Sequence, residues 1–437
     1  MSAHLAGREA SPDGDGEVIF MLPYAKVATA QAGGRQALAA RAAPAGADPL
    51  RVLFVHGTLE IGGAEEVRLS LLSHLDRSRY QATVCCLQRG GEIAEEAAVL
   101  GYEVIVLGRR AHACSLGTLR ALRRVIRERR PHIVQTSLAR ASYWGRWAAM
   151  LERVPVVIVE EHAVADRADW ARPLVEGVLG PRTDCVIAVS ESVRRALAAG
   201  ARASARRPTV VISNPVNDRR LKVCRPRSEV WRELGLTAED ILLVHTGRMD
   251  RLPGAKGQDI LIAALARLGG PRTRRPRTVC AFLGDGPARA GLVGLARKLG
   301  VLDLVRFVGY RRDVADFLAA ADLFVFPSRL EGMPIALMEA MWMGLPSVAS
   351  DIPANRETLC GGQFGRLVAS LSAPALADGI ASLTSDVRGR VELGLRARSY
   401  ARGAFSPQRY AEAIGGLWRE LLAKNGELLS GSGAAAG

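Results

Sequence analysis

The chain has 437 residues, of which 49% are hydrophobic and 24% are charged, a balance typical of a globular protein that is too long for one compact core. No run approaches the roughly 20 apolar residues that span a bilayer, and no secretory pattern opens the chain, so we expect neither a membrane-spanning nor a secreted protein. Lysine and arginine number 59 against 44 acidic residues, a net charge of +15, which favours an anionic partner: nucleic acid, a membrane surface or a phosphorylated substrate.

The first half of the chain alternates between strand-like and helix-like segments. Residues 1–49 are rich in Ala, Gly, Pro and Asp without a sustained period, and we predict a flexible tail with no assigned chemistry. From Arg51 onward, short apolar runs bounded by turn residues alternate with amphipathic segments. The runs are RVLFVH, ATVCCL, YEVIVL, HIVQTS, VPVVIV, DCVIAV and PTVVIS. This alternation predicts a parallel sheet covered by helices on both faces.

The alternation pauses between Asn214 and Glu229 and then resumes with ILLVHTG, TVCAFLG, LVRFVG, DLFVFPS and LPSVAS. We therefore predict an α/β protein with two doubly wound Rossmann-like domains, residues 50–217 and 218–404, that face each other across a cleft. Ligands of such sheets bind beyond the carboxyl ends of the strands. Residues 405–437 are predicted to form a helix from Pro407 and a tail, and this helix could pack back on the N-terminal domain.

The cysteines and basic segments give weaker signals. Of seven cysteines, those in the runs TVCCL, CVIAV and VCAFL are interpreted as reduced core residues of a cytosolic protein. The segment LRALRRVIRERR, Leu119 to Arg130, is typical either of a helix lying against anionic headgroups or of a solvated face over an ordinary core helix. The basic loops at 202–207 and 271–277 carry no interleaved aromatic residue, which argues against single-stranded nucleic-acid binding.

Two segments of the N-terminal half follow strand ends that would border the cleft. Gly62 and Gly63 open a helix, as loops that approach a phosphate or sugar do, although an ordinary turn fits the pair as well. Glu160, Glu161 and His162 come directly after VPVVIV. A histidine in this position is either structural or meets a substrate.

Two cations occupy a strand–loop–helix junction in the C-terminal half. Arg248 leaves the end of the strand ILLVHTG, and Lys256 precedes a helix that begins near Gly257. Such a pair suits a diphosphate leaving group, whose negative charge grows as its bond breaks. The alternative is a pair of ordinary surface cations.

The stretch RLEGMPIALMEAMWMGLP places a carboxylate, Glu339, inside an apolar helix. Pro334 suits the first helical position, and Gly344 with Pro346 ends the helix. A half-buried, unpaired carboxylate costs several kcal/mol, and the two hydroxyls of a ribose would satisfy it. Gly332 allows close approach of a ligand, and the amides of Met333 and Ile335 would face a phosphate at the helix start. The alternative is that Glu339 extends into solvent.

Together and in this order, the motifs resemble the retaining glycosyltransferases of family 4, which have the two-domain GT-B fold. EGMPIALMEAMWMGLPSVASD resembles their E-x7-E signature, with Glu331 and Glu339 as its two acids. The resemblance extends over IGGAEEV, VIAVSESVRR, VVISNPVN, HTGRMD with KG, FLGDGP and VRFVGYRRDV, from about Val52 to Ala404. The loop from Arg248 to Lys256 is slightly long for the family, and Pro334 stands where a glycine is usual.

The resemblance makes the C-terminal domain the nucleotide-sugar-binding one. It implies that Glu339 binds the donor ribose and that Glu331 contacts the transferred sugar near the reacting carbon. Arg248 and Lys256 would hold the diphosphate. Gly332, Met333 and Pro334 would belong to the same donor site.

The resemblance makes the N-terminal domain the acceptor side. Gly63 would approach the donor phosphates, and His162 would lie beside the sugar as a catalytic residue together with Arg248, Lys256 and Glu331. Backbone groups around Tyr310 and Arg311 would meet the base. No cofactor and no metal is expected, and the donor would be UDP- or GDP-linked.

The sequence-based hypothesis is a sugar transfer with retained anomeric configuration, acting in envelope or exopolysaccharide and lipopolysaccharide synthesis. The acceptor would be lipid-linked or an oligosaccharide, and the enzyme would be cytoplasmic with peripheral contact to the inner membrane. A soluble small-molecule acceptor is one alternative. A non-catalytic basic protein that docks on membrane or nucleic acid is an alternative of another class.

Overall fold

Two parallel β-sheets, one in each half of the chain, organise the protein. The computed structural model describes residues 48–60, 62–108, 116–162, 172–200, 208–268 and 276–431. The first sheet has seven strands in the order β3-β2-β1-β4-β5-β6-β7, and the second has six in the order β10-β9-β8-β11-β12-β13. The strands are β1 Leu50–His56, β2 Tyr80–Cys86, β3 Glu103–Val106, β4 Ile133–Ser137, β5 Val156–Glu161, β6 Cys185–Ala188, β7 Thr209–Val211, β8 Ile241–Thr246, β9 Thr278–Leu283, β10 Val305–Gly309, β11 Leu323–Phe326, β12 Ser347–Ser350 and β13 Arg366–Val368.

Helices connect the strands and cover both sheets. They are α1 Gly63–His74, α2 Glu92–Val99, α3 Leu116–Arg129, α4 Ala139–Leu151, α5 Arg172–Leu179, α6 Glu191–Gly200, α7 Arg227–Glu233, α8 Gln258–Leu268, α9 Arg289–Lys298, α10 Val314–Ala320, α11 Ile335–Met343, α12 Pro353–Thr358, α13 Ala373–Ser385, α14 Val387–Ala404 and α15 Pro407–Gly431. All strand pairs within the two sheets are parallel. The predicted fold class, two doubly wound Rossmann-like domains, is confirmed.

Each sheet reverses its strand order once, and this places the cleft. In the first sheet β1 pairs with both β2 and β4, and in the second β8 pairs with both β9 and β11. Chain segments that leave the carboxyl ends of such a central strand pair diverge to opposite faces, which opens a crevice. The loops after β1, β4, β8 and β11 therefore border the site.

The last helix, α15, belongs to the core of the N-terminal domain. Its apolar positions recur at helical spacing, and its side chains pack against β1, β2 and α1. Trp418 is fully buried, lies edge-on to Tyr80 with ring centroids 5.2 Å apart, and donates its indole N–H to Gln135 Oε1 over 2.9 Å. Each large apolar side chain buried in this way contributes about 1.5–3 kcal/mol, so several of them hold the helix firmly against the first sheet.

Several sequence predictions fall outside the described residues: the tail through residue 47, the basic loop at 202–207 and residues 271–275 of the second basic loop. Cys85, Cys86, Cys185 and Cys280 are buried and carry free thiols. Within the described ranges, no helix combines the length and apolarity that crossing a membrane requires.

Candidate functional site

A cleft of about 970 Å³ lies between the carboxyl ends of the two sheets. Most of the residues that the sequence nominated line it: Gly63, His162, Arg248, Lys256, Tyr310, Arg311, Glu331, Gly332, Met333 and Glu339. Pro334 is buried and is not among the lining residues. The structure therefore brings ten of the eleven nominated residues to one cavity.

Glu331 and Lys256 form an ion pair on the C-terminal wall. Lys256 Nζ lies 2.8 Å from Glu331 Oε1 and 3.0 Å from Oε2, and the Glu331 side chain is only 8% exposed. The backbone that carries Lys256 is fixed by Gly257, whose φ is +70° and where a Cβ would lie 2.0 Å from the Pro327 carbonyl oxygen. Only glycine fits this approach, so the junction between the loop and α8 sets the position of the ammonium group.

Arg248 is held more loosely than Lys256. Its side chain is 75% exposed, and its Nε lies 2.6 Å from Asp250 Oδ1. A pair this exposed is worth at most about 1 kcal/mol, so a diphosphate could draw the guanidinium away from Asp250. Of the two cations at this junction, Lys256 is therefore fixed and Arg248 can move toward an anionic ligand.

Glu339 sits on α11 and faces the cleft without a protein partner. The helix follows β11 through the loop that carries Glu331, and it ends at Gly344, which has the left-handed φ of +82°. Glu339 is half-buried and makes no hydrogen bond or ion pair within the described part of the chain. Burial, reinforced by Glu66 and opposed by Arg220, raises the pKa of its carboxyl to about 8. A carboxyl with this environment is completed by a ligand that supplies hydrogen-bond donors.

The start of α11 corrects part of the sequence-based interpretation. The helix begins at Ile335, one residue later than predicted, and Pro334 precedes it. The Ile335 amide, which we expected to face a phosphate, donates instead to the Met333 carbonyl over 3.1 Å. The Gly332 carbonyl accepts from the buried Ser190 hydroxyl over 2.7 Å. The loop is therefore anchored by the N-terminal domain, and fewer of its polar groups are free than we expected.

His162 lies across the cleft, after β5, with its side chain 8% exposed. Its Nε2 is 3.5 Å from Oε1 of the fully buried Glu160. His162 therefore lines the cavity and at the same time contacts the buried Glu160 carboxyl group.

Gly63 opens α1, where it meets the opposite wall. A Cβ placed on Gly63 would have Ile335 Cγ1 as its nearest neighbour, at 3.7 Å, and its φ lies outside the left-handed region. Neither the backbone conformation nor the neighbouring protein atoms therefore require glycine here, which leaves approach of a ligand as a reason for it.

Tyr310 and Arg311 follow β10 and line the cleft. The Tyr310 ring is half-exposed, and burial together with Glu92 raises the pKa of its hydroxyl. The Arg311 guanidinium is held by Asp313, at 2.7 Å, and by Glu233, at 3.1 Å. Because this side chain is engaged, only the backbone around it is left for the predicted contact with a base.

The sequence reasoning overlooked an acidic wall on the N-terminal side. Glu65 and Glu66, in the first turn of α1, line the cleft together with Glu92. Glu66 binds Arg220 over 2.9 Å and Asn217 over 2.9 Å, both from the segment that joins the domains. The sequence GGAEEV contained these acids, but only the fold shows that they line the cleft and that Glu66 lies close enough to raise the pKa of Glu339.

Leu138 was also overlooked. It follows β4, lines the cleft, is 39% exposed and has a φ of +69°, a conformation that costs a non-glycine residue about 1–3 kcal/mol. The local sequence gives no signal for this strained backbone, which offers an apolar contact beside the cavity.

The basic helix predicted at Leu119 to Arg130 is α3, and much of its charge is paired. Arg123 and Arg127 both bind Glu152, and Arg129 binds Glu103. The arginines nevertheless remain on an outer surface, since the Arg127 side chain is 59% exposed. Among the described residues, no group of three or more His, Cys, Asp or Glu side chains is placed to hold a metal ion.

Comparisons with known proteins agree with this architecture. Residues 61–220 match the family described as Glycosyltransferase Family 4, and residues 232–402 match Glycosyl transferases group 1. Among solved structures, HepE of Anabaena in complex with UDP and glucose superposes with a TM-score of 0.73 at 23% identity, over 85% of this chain and all of that one. WaaG, a glycosyltransferase involved in lipopolysaccharide biosynthesis, superposes with a TM-score of 0.63 at 19% identity, over 84% of this chain and 99% of that one.

Three curated relatives share about a third of the aligned residues. The alpha-D-kanosaminyltransferase of Streptomyces kanamyceticus is 30% identical over 45% of this chain and 49% of its own length. A GDP-mannose-dependent phosphatidylinositol monomannoside mannosyltransferase of Mycolicibacterium smegmatis is 33% identical over 42% and 47%, and the lipopolysaccharide core mannosyltransferase LpsB of Rhizobium meliloti is 30% identical over 49% and 62%. The chain spans about half the length of the curated relatives it matches. The two family models match the segments that form the two sides of the cleft. The chain therefore belongs to the family 4 type of glycosyltransferases and has their GT-B fold.

Proposed function

We propose that this chain transfers a glycosyl group from a nucleoside diphosphate sugar to an acceptor hydroxyl, with retention of the anomeric configuration. The observation that carries the proposal is the half-buried Glu339 carboxyl, which has no partner in the described chain and a pKa raised to about 8. The vicinal hydroxyls of a ribose supply the two donors that this carboxyl lacks.

The diphosphate binds between the two cations of the C-terminal wall. Lys256 is fixed by Glu331 and retains an N–H beyond the two that the carboxylate accepts, and Arg248 leaves Asp250 for the phosphate. Both cations then face oxygens whose negative charge increases as the bond to the sugar breaks. Interactions of this kind are stronger in the transition state than in the ground state, and this difference accelerates the reaction.

Retention is proposed to come from a same-face displacement. The bond between the anomeric carbon and the phosphate oxygen breaks, the acceptor oxygen bonds to the same face, and the departing phosphate oxygen takes the acceptor's proton. The engagement of Glu331 supports this route, because both of its oxygens lie within 3.0 Å of Lys256 Nζ. A carboxylate held in this way positions the cation and the sugar and is poorly disposed to form a covalent bond.

For the acceptor we propose an envelope glycan, handled in the cytoplasm with peripheral contact to the inner membrane through α3. The names of the curated relatives support this class, since two of the three act on a phosphatidylinositol mannoside or in lipopolysaccharide core synthesis. The exposed arginines of α3 support contact with anionic headgroups, although Glu103 and Glu152 offset part of their charge.

A soluble amino sugar or aminocyclitol is the second candidate acceptor. Glu65, Glu66 and Glu92 line the N-terminal wall, where Arg220 pairs with Glu66 and Arg312 pairs with Glu92. Of these three acids, Glu65 is therefore the one that favours a neutral or cationic acceptor group over a phosphate.

The proposal is tested first on the donor. Melting temperatures are measured with UDP, GDP, ADP and TDP, and then with sugars of the base that binds. We expect one base to raise the melting temperature in a saturable way and its sugar to be transferred. If none of the four nucleotides binds, the donor site is not a nucleotide-sugar site. The acceptor classes are then separated by offering neutral, amino and phosphorylated saccharides to the loaded enzyme.

A further inference from the structure

Glu160, at the end of β5, is the centre of a buried hydrogen-bond network that reaches the cleft. Its side chain has no exposed surface and is contacted by groups from four other parts of the fold. These groups are Arg68 on α1, Gln135 and Ser137 on β4, Tyr410 on α15, and His162 in the loop after β5.

The two oxygens of Glu160 have different partners. Oε2 lies 2.5 Å from Arg68 Nη2, 3.1 Å from Gln135 Nε2 and 3.0 Å from Ser137 Oγ. Oε1 accepts the Tyr410 hydroxyl over 2.8 Å and faces His162 Nε2 at 3.5 Å. Burial alone would raise the pKa of this carboxyl, but Arg68, His162 and the hydrogen bonds outweigh burial and hold the pKa well below its ordinary value. The group that faces His162 is therefore a carboxylate, which only accepts hydrogen bonds.

The orientation of His162 follows from this neighbour. Its Nε2 is buried, lies 3.5 Å from Glu160 Oε1 and makes no shorter hydrogen bond among the described residues, while the side chain lines the cavity. A carboxylate favours an N–H over a lone pair on the nitrogen that faces it. The neutral imidazole then has its lone pair on Nδ1, which has no partner within the described chain.

We propose that Glu160, held by Tyr410 from the C-terminal helix, is a positioning residue that fixes the proton of His162 on Nε2 and leaves Nδ1 to accept a hydrogen bond from a substrate hydroxyl. The catalytic consequence rests on the proposed glycosyl transfer, whereas the tautomer of His162 is a property of the free protein. The C-terminal helix thereby acts on the cleft through two intervening side chains.

The substitution Glu160→Gln tests the tautomer directly. Arg68 and Gln135 are donors, so they require the amide oxygen of the new side chain on their side. Its NH₂ group then faces Tyr410 and His162 and requires a lone pair on His162 Nε2, which moves the imidazole proton to Nδ1. Long-range ¹H–¹⁵N spectra of histidine-labelled protein at about pH 8.5, well above the ordinary histidine pKa of about 6.5, distinguish the two tautomers. The signals of His162 are identified by their loss in His162→Ala.

The wild-type protein is expected to show the Nε2–H tautomer and Glu160→Gln the Nδ1–H tautomer. A wild-type Nδ1–H tautomer, or the same tautomer in both proteins, overturns the proposal. Glu160→Gln weakens a buried ion pair with Arg68, so its folding is checked by melting temperature. The wild-type spectrum remains decisive if this variant does not fold.

Tyr410→Phe supplies a second test that leaves the Arg68–Glu160 pair intact. We expect kcat/KM to fall about fivefold to thirtyfold, and to change by less than about twofold when the same substitution is made in His162→Ala. Tyr80→Phe is the matched control, because the Tyr80 hydroxyl bonds to Gly415 of the same helix over 3.2 Å and does not touch Glu160. The role of Tyr410 is overturned if Tyr410→Phe lowers kcat/KM equally in the wild type and in His162→Ala. It is also overturned if Tyr80→Phe lowers kcat/KM as much as Tyr410→Phe does, because both results would show that Tyr410 acts only on the fold. If wild type transfers no sugar but the tautomers behave as expected, the proposed function fails and the positioning of His162 stands.

Discussion

Replacing Glu339 by glutamine is expected to stabilise the empty protein and to weaken donor binding in the same variant. The pKa of this carboxyl is raised from its ordinary 4.5 to about 8 by burial and Glu66, against the opposing effect of Arg220. The unfolded chain therefore ionises Glu339 more readily than the folded one does. The stability associated with the neutral carboxyl is complete below about pH 4.5 and is lost as the pH rises toward 8.

The size of the stabilisation follows from the shift. At pH 7 the folded carboxyl is kept neutral about 2.5 pH units above its ordinary pKa of 4.5. At 1.36 kcal/mol per unit, this costs the folded protein about 3.4 kcal/mol if the group is fully desolvated. Because Glu339 is only half-buried and borders an open cleft, we expect solvent to reduce this to about 1–3 kcal/mol. Glutamine does not titrate and recovers that amount, which corresponds to a rise in melting temperature of about 2–10 °C.

The effect on binding has the opposite sign. A ribose donates two hydrogen bonds to the ionised carboxylate, each worth about 1.5–3 kcal/mol, and glutamine accepts them more weakly. We expect the donor Kd to rise about 10- to 100-fold. In the wild type only about a tenth of the carboxyl is ionised at pH 7 if its pKa is about 8, so donor affinity should increase about tenfold between pH 7 and 9 and be flat in the variant.

Calorimetric titration with the nucleotide sugar and thermal melting of the empty protein measure both effects. Glu392→Gln on the exposed face of α14 is the control, and it should change neither quantity. If Glu339→Gln lowers the melting temperature, or if it binds donor as tightly as wild type at every pH, Glu339 is not a desolvated acid reserved for a ligand.

Two further substitutions test the remaining parts of the donor site. Lys256→Ala is expected to lower kcat by about 10²–10³-fold while changing the KM of the acceptor little, because the ammonium group stabilises the departing diphosphate. If the folded variant has an unchanged kcat in initial-rate assays of sugar transfer, Lys256 does not have this role. Gly63→Ala should leave the melting temperature unchanged, since the nearest atom to the added carbon is Ile335 Cγ1 at 3.7 Å. The same variant should raise the donor KM at least about tenfold, because the added methyl group would hinder the approach of the phosphates. An unaltered donor KM would show that the phosphates do not approach Gly63.

The sequence pattern predicted the strands well and overlooked one of them. All twelve apolar runs named from the sequence correspond to strands, because each run is a buried segment between turn residues. The strand β13 was not predicted, since its three residues, Arg366–Val368, include an exposed arginine and no fully buried side chain. A strand this short forms because β12 offers an edge for pairing, which is a tertiary effect.

The site was predictable where its residues are neighbours in sequence and not where they meet across the fold. Glu331 and Glu339 lie on one loop and helix, so their spacing alone placed them together. Arg68 and Tyr410, which hold Glu160, are 92 and 250 positions away from it. No local periodicity relates such distant positions, and the acid therefore looked like part of an ordinary strand end.

The excess of positive charge in the chain is not located among the described residues that line the cleft. Among the described residues, seven carboxyl groups line the cavity against five lysine and arginine side chains, although the protein as a whole carries a net charge of +15. Two of these cations already have carboxylate partners in the protein, Lys256 in Glu331 and Arg248 in Asp250. A diphosphate does not find a broad positive surface here and must instead replace Asp250 as the partner of an exposed arginine. That exchange costs little and leaves the buried pair of Lys256 and Glu331 intact. The choice between donor ligands therefore depends on Glu339, because burial keeps its carboxyl largely neutral at pH 7 and two hydroxyl donors from a ribose favour the ionised form.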